Sequence, residues 1–164
     1  MAQVTLGGTP VNTVGELPAK GTQMNFTLTK NDLSEVNSDA YRGKKLILNI
    51  FPSVDTGVCA TSIRTFNAKA STLENTAVLC ISKDLPFAQA RFCGAEGIEN
   101  VETLSDFRHP EFSETTGTRF TDGGFEGLHA RSIILLDEEG KVVYTELVPE
   151  VGEEPNYDAV ITAL

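Results

Sequence analysis

The sequence predicts an α/β fold, with a mixed sheet flanked by helices and an N-terminal β-hairpin. Three observations carry this. Two continuous apolar runs, Lys45–Phe51 and Ala77–Ser82, stand on either side of a segment with helical periodicity. Such a strand–helix–strand unit pairs its strands in parallel through a right-handed crossover. Arg131–Asp137 and Lys141–Leu147 flank Glu138-Glu139-Gly140, a hairpin signal that adds antiparallel pairing. Near the start, Val4–Leu6 and Thr9–Val11 enclose Gly7-Gly8, and the two glycines supply the positive backbone angles of a tight hairpin turn.

Between these landmarks, residues 15 to 24 read as loop, Asn25–Thr29 alternates as a strand, and Asp32–Val36 reads as a short strand or turn. Pro52 ends the central strand. Ile63, Phe66, Ala70 and Leu73 then recur at three- and four-residue steps, with Thr61, Arg64, Asn67, Ser71 and Glu74 on the other face. A helix over about 58–73 follows, beginning near Gly57 or Val58. Pro86 opens another helix through Cys93, with Gly94 as its stop. Val101–Ser105 is a shorter strand, helical material near Pro110–Thr116 leads into the loop Asp122-Gly123-Gly124, and Pro155 begins a last helix to Leu164. At 164 residues the chain suits one domain, 1–164, since about 70% of the unfolded surface can be buried at this size.

A formal charge of −10 argues against nucleic acid or an anionic membrane as partner, because phosphate binding needs a basic face. The N-terminus lacks the basic start and apolar core of a secretory signal, and no apolar run has the length of a membrane span, so a cytoplasmic protein is expected. Three cysteines in a reducing compartment point to reactive or transient chemistry rather than a permanent disulfide framework. Cys59, Cys80 and Cys93 have no CxxC spacing, and His109 and His129 are not paired at ligand spacing, so no metal site is expected and no organic cofactor is implied.

The stretch that carries chemistry is Phe51-Pro52-Ser53-Val54-Asp55-Thr56-Gly57-Val58-Cys59. Cys59 falls in the first turn of a helix, where unpaired N–H groups and the positive end of the helix dipole favour an anion such as a thiolate. A cysteine in a soluble chain is often only a small buried hydrophobe. Here its strand-to-helix junction and the Thr56 hydroxyl one turn earlier suit a thiolate or a bound oxygen instead. Cys80, inside an apolar strand, reads as an inert core thiol. Arg131 opens a strand beside apolar residues and reads as a surface charge or half of an ion pair on one side, and as part of a site on the other.

Pro52, Thr56 and Cys59, in the pattern Pro-x-x-x-Thr-x-x-Cys, resemble the active-site motif of the peroxiredoxins. The longer stretches Asn49–Ala60 and Val78–Gly94 resemble one subfamily, the bacterial thiol peroxidases, and the likeness runs over nearly the whole chain. Most peroxiredoxins carry Pro after the reactive cysteine, whereas Ala60 stands here, a feature of that subfamily. The resemblance implies a thioredoxin-like fold and a peroxidase that reduces hydroperoxides, organic ones above all. It makes Cys59 the attacking thiol and Cys93 the resolving one, joined in a transient disulfide that thioredoxin reduces. It places Thr56 and Arg131 at the reacting oxygens and Pro52, Phe51 and Val58 around the substrate, and it implies a homodimer.

A magnitude shows what the site must supply. An ordinary thiol is about 3% ionised at pH 7, so complete ionisation gains only about 30-fold, or ~2 kcal/mol. Fast peroxide reduction therefore also needs groups that stabilise the lengthening O–O bond. Two other classes stand beside this one. A redox sensor would use the same cysteines stoichiometrically. A thiol–disulfide oxidoreductase would normally place its two thiols in a CxxC pair, which is missing here.

Overall fold

The computed structural model describes residues 1–164. β1 (Gln3–Leu6) and β2 (Thr9–Asn12) form the N-terminal hairpin, with Gly7 at φ 60° and Gly8 at φ 85° in its turn. β3 (Thr27–Thr29) and β4 (Glu35–Asn37) are short antiparallel strands, followed by a single 3-10 turn at Ser38–Tyr41. That turn has no apolar periodicity and was not predicted; it is capped by the Asn37 side chain, which accepts from Asp39 N.

The central unit is β5 (Lys45–Ile50), α1 (Gly57–Ala70) and β6 (Thr76–Ser82), and β5 and β6 pair in parallel as expected. α2 (Pro86–Glu96) returns to β7 (Glu102–Ser105), which pairs in parallel with β6. α2 does not stop at Gly94. It continues through Ala95 and Glu96 and ends on Gly97, whose φ of 65° supplies the left-handed cap that closes the helix. After α3 (Glu111–Thr116), the strands β8 (Ser132–Leu136) and β9 (Val142–Leu147) form the second hairpin. α4 (Tyr157–Thr162) begins after Pro155, with Asn156 as its N-cap.

The seven strands lie in the order β4-β3-β7-β6-β5-β8-β9, so the sheet is mixed, as predicted. β5 lies inside the sheet between β6 and β8, and its side chains alternate between two cores. Leu46, Leu48 and Ile50 face a cluster with Phe26 and Phe112. Ile47 and Phe51 face the opposite cluster, with Ile63 and Phe66 of α1, Phe92 of α2 and Val160 of α4.

One polar network lies within the apolar interior. Asp106 and His129 are fully buried; Asp106 Oδ2 is 2.9 Å from His129 Nε2 and 2.9 Å from Lys83 Nζ, and His129 Nδ1 is 2.7 Å from Thr118 Oγ1. Burial pushes the Asp106 carboxyl up, but its bonds with His129 and Lys83 outweigh this and hold it below the ordinary 3.8. A group lowered on folding stabilises fully above its unfolded pKa, and that stability is lost as pH falls through the folded value. Asp106→Asn is expected to cost about 1.5–3 kcal/mol at pH 7 and to flatten the decline in stability below pH 4. Denaturation midpoints from pH 7 to 3 check this; an acid limb unchanged in the variant would refute it.

Candidate active site

The site begins where β5 ends. Phe51 N donates to Ile81 O at 3.1 Å, and beyond it the 52–55 loop is pinned to the end of β6 by one carboxylate. Asp84 accepts from Ser53 Oγ at 2.7 Å, from Val54 N at 2.8 Å and from Ser82 Oγ at 2.6 Å. Thr56 is the N-cap of α1 with extended backbone, φ −94° and ψ 144°. Its hydroxyl makes no capping bond and donates to Ser53 O at 3.1 Å. With that hydrogen committed, the Thr56 oxygen is left to accept a hydrogen bond, whereas the motif had suggested a donor.

Cys59 is the third residue of α1 and is fully buried, so its N–H is one of the first-turn donors that no intrahelical carbonyl reaches. Arg131, immediately before β8, reaches it from the neighbouring strand: Nη2 donates to Cys59 Sγ at 3.2 Å and Nε donates to Val151 O at 3.0 Å. The side chain is only 2% exposed, and Nη1 has no hydrogen-bond partner. Arginine is thus held by a backbone carbonyl and a sulfur, with no carboxylate among its partners.

The Val151 carbonyl is itself held in place. Glu150 accepts from Thr5 Oγ1 at 2.9 Å, from Gly8 N at 2.8 Å and from Gly152 N at 2.8 Å, which fastens the 149–152 segment to the β1–β2 turn. The backbone N–H groups of Gly152 and Gly8 lower the half-buried Glu150 carboxyl to about 2.

Arg131, Thr56 and Val58 share a cavity of about 130 Å³ whose apolar wall is Leu6, Val58, Phe125 and Val151. Phe51 and Pro52, expected at the substrate, are buried and do not line it; Phe51 belongs to the core cluster that faces α1. The side-chain alternation of β5 explains this, since Phe51 shares the parity of Ile47. Cys93 is not brought to this cavity. It lies on α2 beside a separate cavity of about 320 Å³, where Thr103 Oγ1 is 3.3 Å from its sulfur. All three cysteines are free. Cys80 is fully buried, and burial pushes its thiol up to about 12, as expected of an inert core thiol.

The sequence reading missed Asp84, Glu150 and Val151. Only Asp84 had a signal: it follows the carboxyl end of a parallel strand, where α/β folds collect their sites. A thiol at a helix N-terminus, contacted by a buried arginine on a mixed α/β sheet, is an arrangement suited to thiolate chemistry.

The comparisons give the family. The Redoxin family model matches residues 18–161. A thiol peroxidase of Mycobacterium tuberculosis is 58% identical over 165 residues, covering 100% of this chain and 99% of the relative. A thiol peroxidase of Corynebacterium glutamicum is 55% identical with the same coverage. The crystal structure of a peroxiredoxin-like protein from Aquifex aeolicus superposes with a TM-score of 0.93 at 38% identity, covering 99% of this chain and 95% of that one. The chain belongs to the redoxin family and, within it, to the thiol peroxidases.

Proposed function

We propose that the chain, as one domain spanning residues 1–164, is a thiol-dependent peroxidase in which Cys59 attacks and Cys93 resolves. The observation that carries this is Arg131 Nη2 at 3.2 Å from Cys59 Sγ, with Nη1 buried and unpaired beside an apolar cavity. The Cys59 thiolate attacks the terminal oxygen of a hydroperoxide; an S–O bond forms, the O–O bond breaks, and the other oxygen leaves as alcohol or water after taking a proton. Arg131 stabilises the charge that develops on the two oxygens, together with the Cys59 N–H. Thr56 accepts from the O–H of the hydroperoxide, which fixes its direction of approach. The sulfur chemistry needs neither metal nor organic cofactor.

Cys93 then condenses with the Cys59 sulfenic acid, releasing water and forming a disulfide that a dithiol protein of the thioredoxin type reduces again. The apolar wall of the cavity suits organic hydroperoxides. No helix is long and apolar enough to cross a membrane. The cytoplasm is the compartment that suits a dithiol cycle.

The second copy in a homodimer would cover the exposed patch of Leu33, Leu85, Phe87 and Phe107, which surrounds a cavity of about 240 Å³. Phe87→Glu with Phe107→Glu is expected to halve the mass seen by sedimentation; an unchanged mass would reject this face.

The deciding experiment is steady-state consumption of cumene hydroperoxide with a thioredoxin system, followed by peptide mapping of the oxidised protein. Many turnovers and a Cys59–Cys93 disulfide are expected. Consumption that stops after one equivalent would replace the peroxidase with a stoichiometric sensor.

A further inference from the structure

The two sulfurs of the proposed cycle have no partner in common. Arg131 holds Cys59, whereas Cys93 sits between Asn31, in the turn joining β3 to β4, and Thr103 of β7. The donor count around Cys93 closes as a ring. Thr103 has one hydroxyl hydrogen and gives it to Asn31 Oδ1 at 3.0 Å. Towards Cys93 it is therefore an acceptor, and the thiol hydrogen points at Thr103 Oγ1 across 3.3 Å. Asn31 Nδ2 completes the ring by donating to Cys93 Sγ at 3.9 Å. Neither partner is on α2, so any movement of that helix takes Cys93 away from both.

We infer that Asn31 and Thr103 are positioning residues that latch Cys93 into folded α2, and that release of this latch limits how fast the Cys59 sulfenic acid is resolved. The inference rests on Cys93 being the resolving thiol. In that step Cys93 sulfur gives up its hydrogen and attacks Cys59 sulfur. The S–S bond forms, the S–O bond of the sulfenic acid breaks, and hydroxide and proton leave as water with no external oxidant.

A disulfide places the two sulfurs about 2.05 Å apart, and Cys59 contacts neither Thr103 nor Asn31, so Cys93 leaves these partners as it reacts. While it stays, the sulfenic acid is open to a second hydroperoxide, which takes it to sulfinic acid. The latch thus sets the hydroperoxide concentration at which the enzyme inactivates itself.

The test mixes reduced protein with one equivalent of cumene hydroperoxide, quenches with an alkylating agent at successive times, and reads sulfenic acid and disulfide by intact mass. Thr103→Val, which keeps shape and removes the hydroxyl, is expected to shorten the sulfenic acid lifetime about three- to tenfold, the worth of one hydrogen bond. The hydroperoxide concentration giving half sulfinic acid should rise by the same factor. Thr103→Ser should return both to within about twofold of wild type. Asn31→Ala, in a partly exposed loop, should act like Thr103→Val, and the double variant should add little to either, because both open one ring. A lifetime unchanged or lengthened in Thr103→Val and Asn31→Ala overturns the latch, as does full additivity. Wild type that forms no Cys59–Cys93 disulfide at all overturns the resolving role itself, a different result from a disulfide formed at equal rates in every variant.

Discussion

Cys59→Ser is expected to abolish hydroperoxide consumption, by more than about a thousandfold, while leaving the fold intact. Serine oxygen has no counterpart to the sulfenic acid, so the first covalent step has nowhere to go. The substitution is close to isosteric, and the site is equipped for a polar atom. Arg131 Nη2 lies 3.2 Å from the replaced sulfur and can donate to a hydroxyl as it does to a thiol. The thermal midpoint should therefore stay within a few degrees of wild type. The coupled thioredoxin assay and a thermal melt check both halves. Cys93→Ser should behave differently: one equivalent of hydroperoxide consumed at the normal rate, then a stall with Cys59 as sulfenic acid, which only a second equivalent takes to sulfinic acid. Residual cycling in Cys59→Ser would move the attacking thiol elsewhere, and Cys80 is a poor alternative, being fully buried with its thiol raised to about 12.

What the sequence makes legible follows from the range of the interactions involved. β5, β6 and β8 are buried strands, and their apolar runs announce them within a residue or so of their ends. α1 is legible because a three-to-four-residue apolar stripe meets a polar face over four turns. The end of α2 is not, because Gly94 and Gly97 are both plausible stops, and only the need to turn towards β7 places the left-handed residue at Gly97. Within the site, Thr56 and Cys59 are local features of one junction. Arg131 reads from sequence as a surface charge, an ion pair or a site residue, and the structure shows it neither exposed nor paired with a carboxylate. Asp84 reaches back 31 residues to Ser53, and Glu150 reaches across 142 residues to Gly8, so neither bond is written in a local pattern, and only the place of Asp84 after the end of β6 points to a site. Phe51 shows the opposite case. The parity of β5 places it in the core with Ile47, and strand alternation was enough to say so.

Replacing Arg131 separates activity from stability, because its buried charge has no carboxylate to offset it. Burying a charge without a counter-charge is costly, and an apolar residue of similar volume often relieves that cost. The anion that suits this guanidinium is the Cys59 thiolate and the oxygens that approach it. Arg131→Met keeps the length of the stem but removes the whole fork, including the bond to Val151 O. It is expected to lower the rate of Cys59 oxidation by hydroperoxide about 10²–10³-fold, equivalent to about 2.7–4 kcal/mol of transition-state stabilisation. The thermal midpoint, meanwhile, should stay near wild type or rise. Arg131→Lys should recover little of the rate. An ammonium is a single point of charge and cannot hold Val151 O and Cys59 Sγ at once while presenting further donors to a peroxide. Stopped-flow oxidation of Cys59 under pseudo-first-order hydroperoxide, beside thermal melts of the same preparations, measures both effects. A rate in Arg131→Met within threefold of wild type would mean that the thiol and the first turn of α1 suffice, and that the guanidinium serves packing alone.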